Sequence, residues 1–181
     1  SGLRQAELLG LRWRDIDLKL KSISVCQVLY KHQGICEFKT PKTEHSQRCV
    51  RMTGNLADYL SGYKGERESL SLHLGRLLKL DDLVFANAEG DPLDPSVLSH
   101  SFAKIIKQAG LKNVRFHDLR HTFASLMLLR GAKPKVISEA LGHASVAFTM
   151  DTYSHIIEGM QSEAMALLDE VLPPGKISFE K

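Results

Sequence analysis

Six side chains in this sequence are of types that could act together on a phosphodiester: Arg4, Lys42, His117, Arg120, His143 and Tyr153. The last third runs Phe116-His117-Asp118-Leu119-Arg120-His121-Thr122, then Leu141-Gly142-His143, then Thr152-Tyr153-Ser154-His155, a spaced set of cationic donors followed by one phenol. A guanidinium presents a planar fork matched to two phosphate oxygens. Arg4 and Arg120 together would therefore clamp the non-bridging oxygens, where charge concentrates in the transition state of phosphoryl transfer. A phenol can attack phosphorus to form a covalent phosphoester that a hydroxyl later displaces, which makes Tyr153 the nucleophile. Lys42, in the turn Pro41-Lys42-Thr43, is placed to protonate a departing sugar hydroxyl, while His117 can accept the phenol's proton or assist as general base. His143, just after a glycine, would donate to the same phosphate from a helix end. No divalent metal or other cofactor is demanded by this set.

Taken singly, each residue has a plainer explanation. A lone tyrosine is most often packing with a satisfied hydroxyl. Arg4 and Glu7 suit a surface ion pair, Lys42 a solvated turn and His155 an exposed position. His117 and His121 sit at i and i+4, a metal-ligand spacing, yet there is no HExxH pattern and no obvious third ligand. The joint occurrence, in this order, is what carries information.

The elements that must position these groups follow from periodicity and breakers. Leu3, Leu8 and Leu11 predict a short first helix ended by Gly10, and β-branched alternation predicts strands at Ser22 to Tyr30, Ile35 to Lys39 and Arg48 to Met52. The polar stretch Thr40 to Gln47 connects the last two. Helical spacing starts at Leu56, with Tyr63 to Ser71 polar enough for a surface loop or a solvated helix end. Ser96 is expected to cap a helix through Ala109 with Val97, Phe102, Ile105 and Ile106 as a buried stripe. Helices from Asp118 to Leu129 and from Lys133 to Leu141 end at Gly131 and Gly142, and Ser145 is placed to cap a short helix carrying Tyr153. His117 and Arg120, three apart at a helix start, can then project from one side. A last amphipathic helix spans Gly159 to Leu172, before Pro173-Pro174-Gly175. The expected class is mainly α with a small antiparallel β-sheet (α+β).

Composition sets the outer bounds. A chain of 181 residues with 43% hydrophobic content suffices for one packed core, and a net charge of +3 says little about partners by itself. Cys26, Cys36 and Cys49 form no CxxC pair, so free thiols in a reducing cytosol are expected rather than a disulfide framework or a zinc ribbon. With no apolar run of bilayer length and no charged-then-apolar leader, a soluble, cytoplasmic protein is expected.

At these residues the chain resembles the tyrosine recombinases, also called phage integrases, and specifically their catalytic domain. Gly2-Leu3-Arg4-Gln5-Ala6-Glu7-Leu8 is similar to the family's first arginine box, Lys42 falls where its hairpin lysine is expected, and His117-Asp118-Leu119-Arg120-His121-Thr122 is similar to its HxxR box. Leu141-Gly142-His143 and Tyr153 complete the set. The resemblance implies a DNA breaking-rejoining fold, mostly helical with a small sheet, and cleavage of double-stranded DNA through a 3′-phosphotyrosine. It also implies strand exchange within a tetramer, in an enzyme of a phage or mobile element. Glu7 would support the site from behind, Lys39 is the alternative to Lys42, and the helix after Gly159 would dock on a neighbouring protomer. The catalytic domain is expected over 1–172, without its first helix and amino-terminal DNA-binding domain, followed by a tail over 173–181. Such a fragment would bind DNA weakly, because many phosphate contacts are gone, and would be nearly inactive. Two rivals remain: a type IB topoisomerase, disfavoured by the motif spellings, and a DNA-binding module with Arg4, Arg120 and Lys42 merely gripping phosphates, disfavoured by an intact Tyr153.

Overall fold

The computed structural model describes residues 1–41, 46–154, 156 and 165, which are mostly helical with short antiparallel strands, as the periodicity predicts. Helix α1 (Gln5–Leu9) is started by Glu7, whose carboxylate accepts the Arg4 backbone N–H at 2.8 Å, and is capped by Gly10. A Cβ added to Gly10 would lie 3.0 Å from the Gln27 carbonyl, while Gln27 Nε2 donates to Gly10 O at 2.8 Å. The end of α1 is thus pressed against the chain at Gln27. That contact accounts for a departure from the sequence reading: the strand expected from Ser22 to Tyr30 is broken at Cys26-Gln27.

Strands β1 (Ile16–Asp17), β2 (Ser22–Val25) and β5 (Arg48–Arg51) form one antiparallel sheet in the order β1-β2-β5. Strands β3 (Val28–His32) and β4 (Ile35–Lys39) form a separate hairpin, so two small sheets replace the single one expected. Its two-residue turn, Gln33-Gly34, has φ of 48° and 84°, the left-handed pair that matches the twist of a tight hairpin. The connection from β4 to β5 includes Lys42, which lies outside the described residues.

Ile23, Val25 and Val50 of the three-stranded sheet pack with Leu11, Trp13, Ala57 and Leu60 into the first core, which α2 (Gly54–His73) covers. Thr53 caps α2 by accepting the Leu56 N–H at 3.3 Å. The polar stretch Tyr63 to Ser71 is continuous helix rather than loop. Arg67 and Ser71 turn inward there, and Arg67 Nη2 donates to Asn87 O at 2.9 Å.

Helix α3 (Pro95–Gln108) is capped by Asp94, whose carboxylate accepts the Ser96 N–H at 2.9 Å, and not by Ser96. Its expected stripe is only partly covered: Val97 and Ile105 are 52% and 59% exposed, while Phe102 and Ile106 are half-buried. Two contacts fasten α3: Gln5 Nε2 of α1 donates to Pro95 O at 2.7 Å and to Ser99 Oγ at 3.0 Å, and Phe102 meets Phe116 edge to face with ring centroids 5.5 Å apart. Helices α4 (Asp118–Leu129), α5 (Pro134–Leu141) and α6 (Val146–Thr152) enclose a second core of Ala124, Leu128, Ile137, Leu141 and Tyr153. Ser145 caps α6 as expected, accepting the Phe148 N–H at 3.2 Å. Of the helix expected over 159–172, all but residue 165 lies outside the described residues. Among those described, no helix is long and apolar enough to cross a membrane.

Candidate active site

The start of α1 and the first turn of α4 meet at the carboxyl end of α5. Gly142, at φ 65°, terminates α5 in the left-handed conformation. Arg120 Nη2 donates to Leu141 O at 2.5 Å, and Arg4 Nη2 donates to the next carbonyl, Gly142 O, at 3.3 Å. Arg120 Nη1 also donates to Gly2 O at 2.7 Å. Position 2 must be glycine for this, because φ is 66° and a Cβ would sit 2.6 Å from Phe123 Cδ1. The two arginines of the sequence reading therefore lie side by side.

Glu7 is the counter-charge. It is 2% exposed and accepts from Arg4 Nη1 at 2.8 Å and from Arg48 Nη1 and Nη2, both at 2.9 Å. Burial pushes its carboxyl upward in pKa, but the Arg48 hydrogen bonds and charge, with Arg4 behind them, bring it below the ordinary value. Arg48 Nε reaches across to Ala140 O at 2.7 Å, so this residue ties α1, β5 and α5 together. Sequence reasoning did not single it out.

Burial, then the charge of Arg4, lowers the Arg120 guanidinium to about 10, which leaves it cationic at neutral pH. Three guanidiniums around one carboxylate leave uncompensated positive charge. An anion would compensate that charge. Beside this cluster an open cleft of about 420 Å³ is lined by Arg48, Lys135, Gly142 and His143, among others.

His143 follows directly. Burial, together with Arg120, Arg4 and Arg48, lowers its imidazole to about 4, so it is neutral where a cationic donor was expected. Its Nδ1 lies 2.8 Å from the hydroxyl of Thr149, a fully buried residue. With the hydroxyl donating, the ring proton sits on Nε2.

Tyr153, at the end of α6, is 3% exposed, and its hydroxyl lies 3.0 Å from His121 Nδ1. Burial raises the phenol above its ordinary pKa, and the Arg120 charge offsets only part of this. The histidine in contact with the phenol is therefore His121 and not His117. His117 is exposed, stands at the N-cap position of α4 without a side-chain capping bond, and meets His121 edge to face with ring centroids 5.2 Å apart. Its i,i+4 spacing to His121 could have revealed the latter, since both lie on one face of α4. Burial lowers the His117 imidazole, with the charges of His121 and Arg120 adding to the effect. Arg120, on the same helix, is buried, while His117 is exposed. Of the two lysines weighed, Lys39 is exposed and paired with Glu37 at 2.8 Å, and Lys42 lies outside the described residues.

Known proteins are similar to the chain throughout this region. The model of the phage integrase family matches residues 1–159. A tyrosine recombinase XerC-like protein of Caldanaerobacter subterraneus subsp. tengcongensis is 33% identical over 184 residues, covering 94% of this chain and 47% of that protein. The ICEBs1 integrase of Bacillus subtilis is 33% identical over 172 residues, covering 95% and 46%. The chain thus spans about half the length of the curated relatives it matches. Two solved structures share its fold. The Tn1549 transposon integrase in complex with circular intermediate DNA has a TM-score of 0.74 at 23% identity, over 92% of this chain and 56% of that one. The XerH site-specific recombinase bound to palindromic difH substrate, a post-cleavage complex, has a TM-score of 0.62 at 27% identity, over 93% and 42%. With the family model covering all but the carboxyl end, this chain belongs to the phage integrase family, the tyrosine recombinases.

Proposed function

We propose that the chain breaks and rejoins double-stranded DNA as the catalytic domain of a site-specific recombinase or integrase of a phage or mobile element, working in the cytoplasm. The observation that supports this most is the pairing of Arg4 and Arg120 on successive carbonyls of the α5 terminus, in a cluster with excess positive charge beside the Tyr153 phenol. In this reading the two guanidiniums hold the non-bridging oxygens of one phosphate with N–H groups not spent on carbonyls, and His143 donates to the same group from Nε2. Tyr153 Oη attacks phosphorus in line, leaving a 3′-phosphotyrosine, and Lys42 protonates the departing 5′-oxygen. An incoming 5′-hydroxyl reverses the step. Glu7, with Arg48, keeps Arg4 in place.

Residues 1–172 form the catalytic unit and 173–181 a tail. Strand exchange takes place in a tetramer on paired DNA sites, with the segment after Gly159 docking on a neighbour. DNA as the substrate accords with the DNA-bound states of the two similar structures, and the names of the curated relatives favour recombination over a topoisomerase-like relaxing activity. The test is covalent capture on a pool of nicked, randomised duplexes with the intact parent protein. The unaltered enzyme should form a protein-DNA adduct that Tyr153→Phe abolishes while DNA binding persists, and an adduct surviving that change would sink the assignment.

A further inference from the structure

Arg4 and Gln5 stand side by side at the start of α1 and bond in different directions. Arg4 reaches Gly142 O at the end of α5, while Gln5 Nε2 donates to α3, at Pro95 O (2.7 Å) and Ser99 Oγ (3.0 Å). The other fastening of α3, Phe102 on Phe116, ends on the residue before His117 and so leads to the start of α4, which carries Arg120. Helix α3 is thus attached to both elements that supply a guanidinium. An open cleft of about 360 Å³, lined by Gln5, Ser99, Phe102 and Phe116 among others, runs beside these contacts, so close packing does not fix α3 there.

The segment that begins with α3 is where the chain's positive charge resides. Residues 95–117 hold Lys104, Lys107, Lys112 and Arg115 and no Asp or Glu, whereas the rest of the chain has one more acid than base. Arg115 is paired with Asp118 at 3.2 Å, and the three lysines are exposed. Such a face attracts phosphates, and each contact releases counterions.

We infer that Gln5 is a positioning residue: it holds α3, whose lysines grip the DNA backbone flanking the cleaved phosphate, in register with the Arg4 guanidinium. The inference rests on the DNA-cleaving reading above. Phosphate contacts fix the register of a protein on a duplex, and that register reaches the site only through contacts with defined geometry. An amide that donates twice to one helix turn supplies such a contact, and a misplacement of about 1 Å can slow a reaction about 100-fold. Lys31 Nζ also pairs with Asp94 at the start of α3, but both side chains are partly exposed, and a pair of that kind contributes little.

The experiment uses the intact parent protein on the nicked, randomised duplexes and measures two quantities, duplex affinity and the single-turnover rate of adduct formation at saturating protein. Gln5→Ala should lower that rate about tenfold and leave affinity within about twofold. Ser99→Ala removes one of the two acceptors from the α3 side and should slow the reaction about threefold. Lys104→Gln with Lys107→Gln should weaken binding, reduce the salt dependence of affinity by about two phosphate contacts, and slow the saturated rate about fivefold. The decisive arm joins the changes: once Gln5 is alanine, the lysine changes should still weaken binding but slow the saturated rate by less than about twofold further, because the link that transmits their grip is gone. A Gln5→Ala rate equal to the parent's, an unslowed Ser99→Ala, an affinity untouched by the lysine changes, or rate effects that multiply in the combined variant would each overturn the inference. An adduct persisting in Tyr153→Phe overturns the DNA-cleaving reading instead.

Discussion

Arg4 and Arg120 donate to successive carbonyls, Gly142 O at 3.3 Å and Leu141 O at 2.5 Å, so one helix terminus aligns two guanidiniums drawn from the starts of α1 and α4. The carboxyl end of α5 carries the negative pole of the helix dipole and unpaired carbonyls, which favours cations there. The fold thereby assembles like charges before any anion arrives, and the cost falls on Glu7 and Arg48.

That cost is measurable as stability. Arg48 and Glu7 side chains are 7% and 2% exposed, so Arg48→Leu leaves a buried carboxylate with Arg4 alone. Unfolding in urea should show a loss of about 3–5 kcal/mol, the range for breaking a buried pair from one side, and Arg48→Lys should restore only part of it. A loss near zero would mean that the pair does not organise the site.

Acid should act through two groups with distinct windows. His143 has a folded pKa of about 4 against an ordinary 6.5, so the unfolded chain binds more protons between these values. Its contribution is fully present above about 6.5 and is lost as pH falls toward 4. Glu7 is held below its ordinary 4.5, so its contribution is present above that value and is lost as pH falls through the lower folded pKa. His143→Gln should remove the first phase of the stability-pH curve and leave the second. A variant curve parallel to the parent's from pH 7 to 5 would contradict the burial of a neutral imidazole.

Thr149 should matter to rate more than to DNA affinity. Its hydroxyl meets His143 Nδ1 at 2.8 Å, and valine preserves the shape while removing the contact. Loss of one hydrogen bond that fixes the donor ring should slow adduct formation about tenfold in Thr149→Val. Equal rates would show that His143 orients itself without the threonine.

The residues that announce themselves locally were legible in the sequence, and those recruited over distance were not. Gly142, Ser145 and the periodicity of α4 and α5 mark their own elements, because caps and stripes are written within a few residues. Arg48 sits in an ordinary strand, and nothing near it says that it turns toward Glu7, which is distant in the chain. His121 was weighed only as a metal ligand paired with His117, since its contact with Tyr153 exists only once α6 packs on α4. The break between β2 and β3 was hidden for the same reason: Gln27 bonds to Gly10, a tertiary contact that interrupts a locally continuous strand pattern. On α3 the error ran the other way, as a clean amphipathic pattern packs through Phe102 on Phe116 and leaves Val97 and Ile105 exposed.

The convergence of these groups on one phosphorus is tested most directly by isolating the covalent adduct from the parent protein, digesting protein and DNA, and sequencing the modified peptide by mass spectrometry. A nucleotide joined through its 3′-phosphate to Tyr153 is the expected result. Attachment to any other residue, or through a 5′-phosphate, would contradict it.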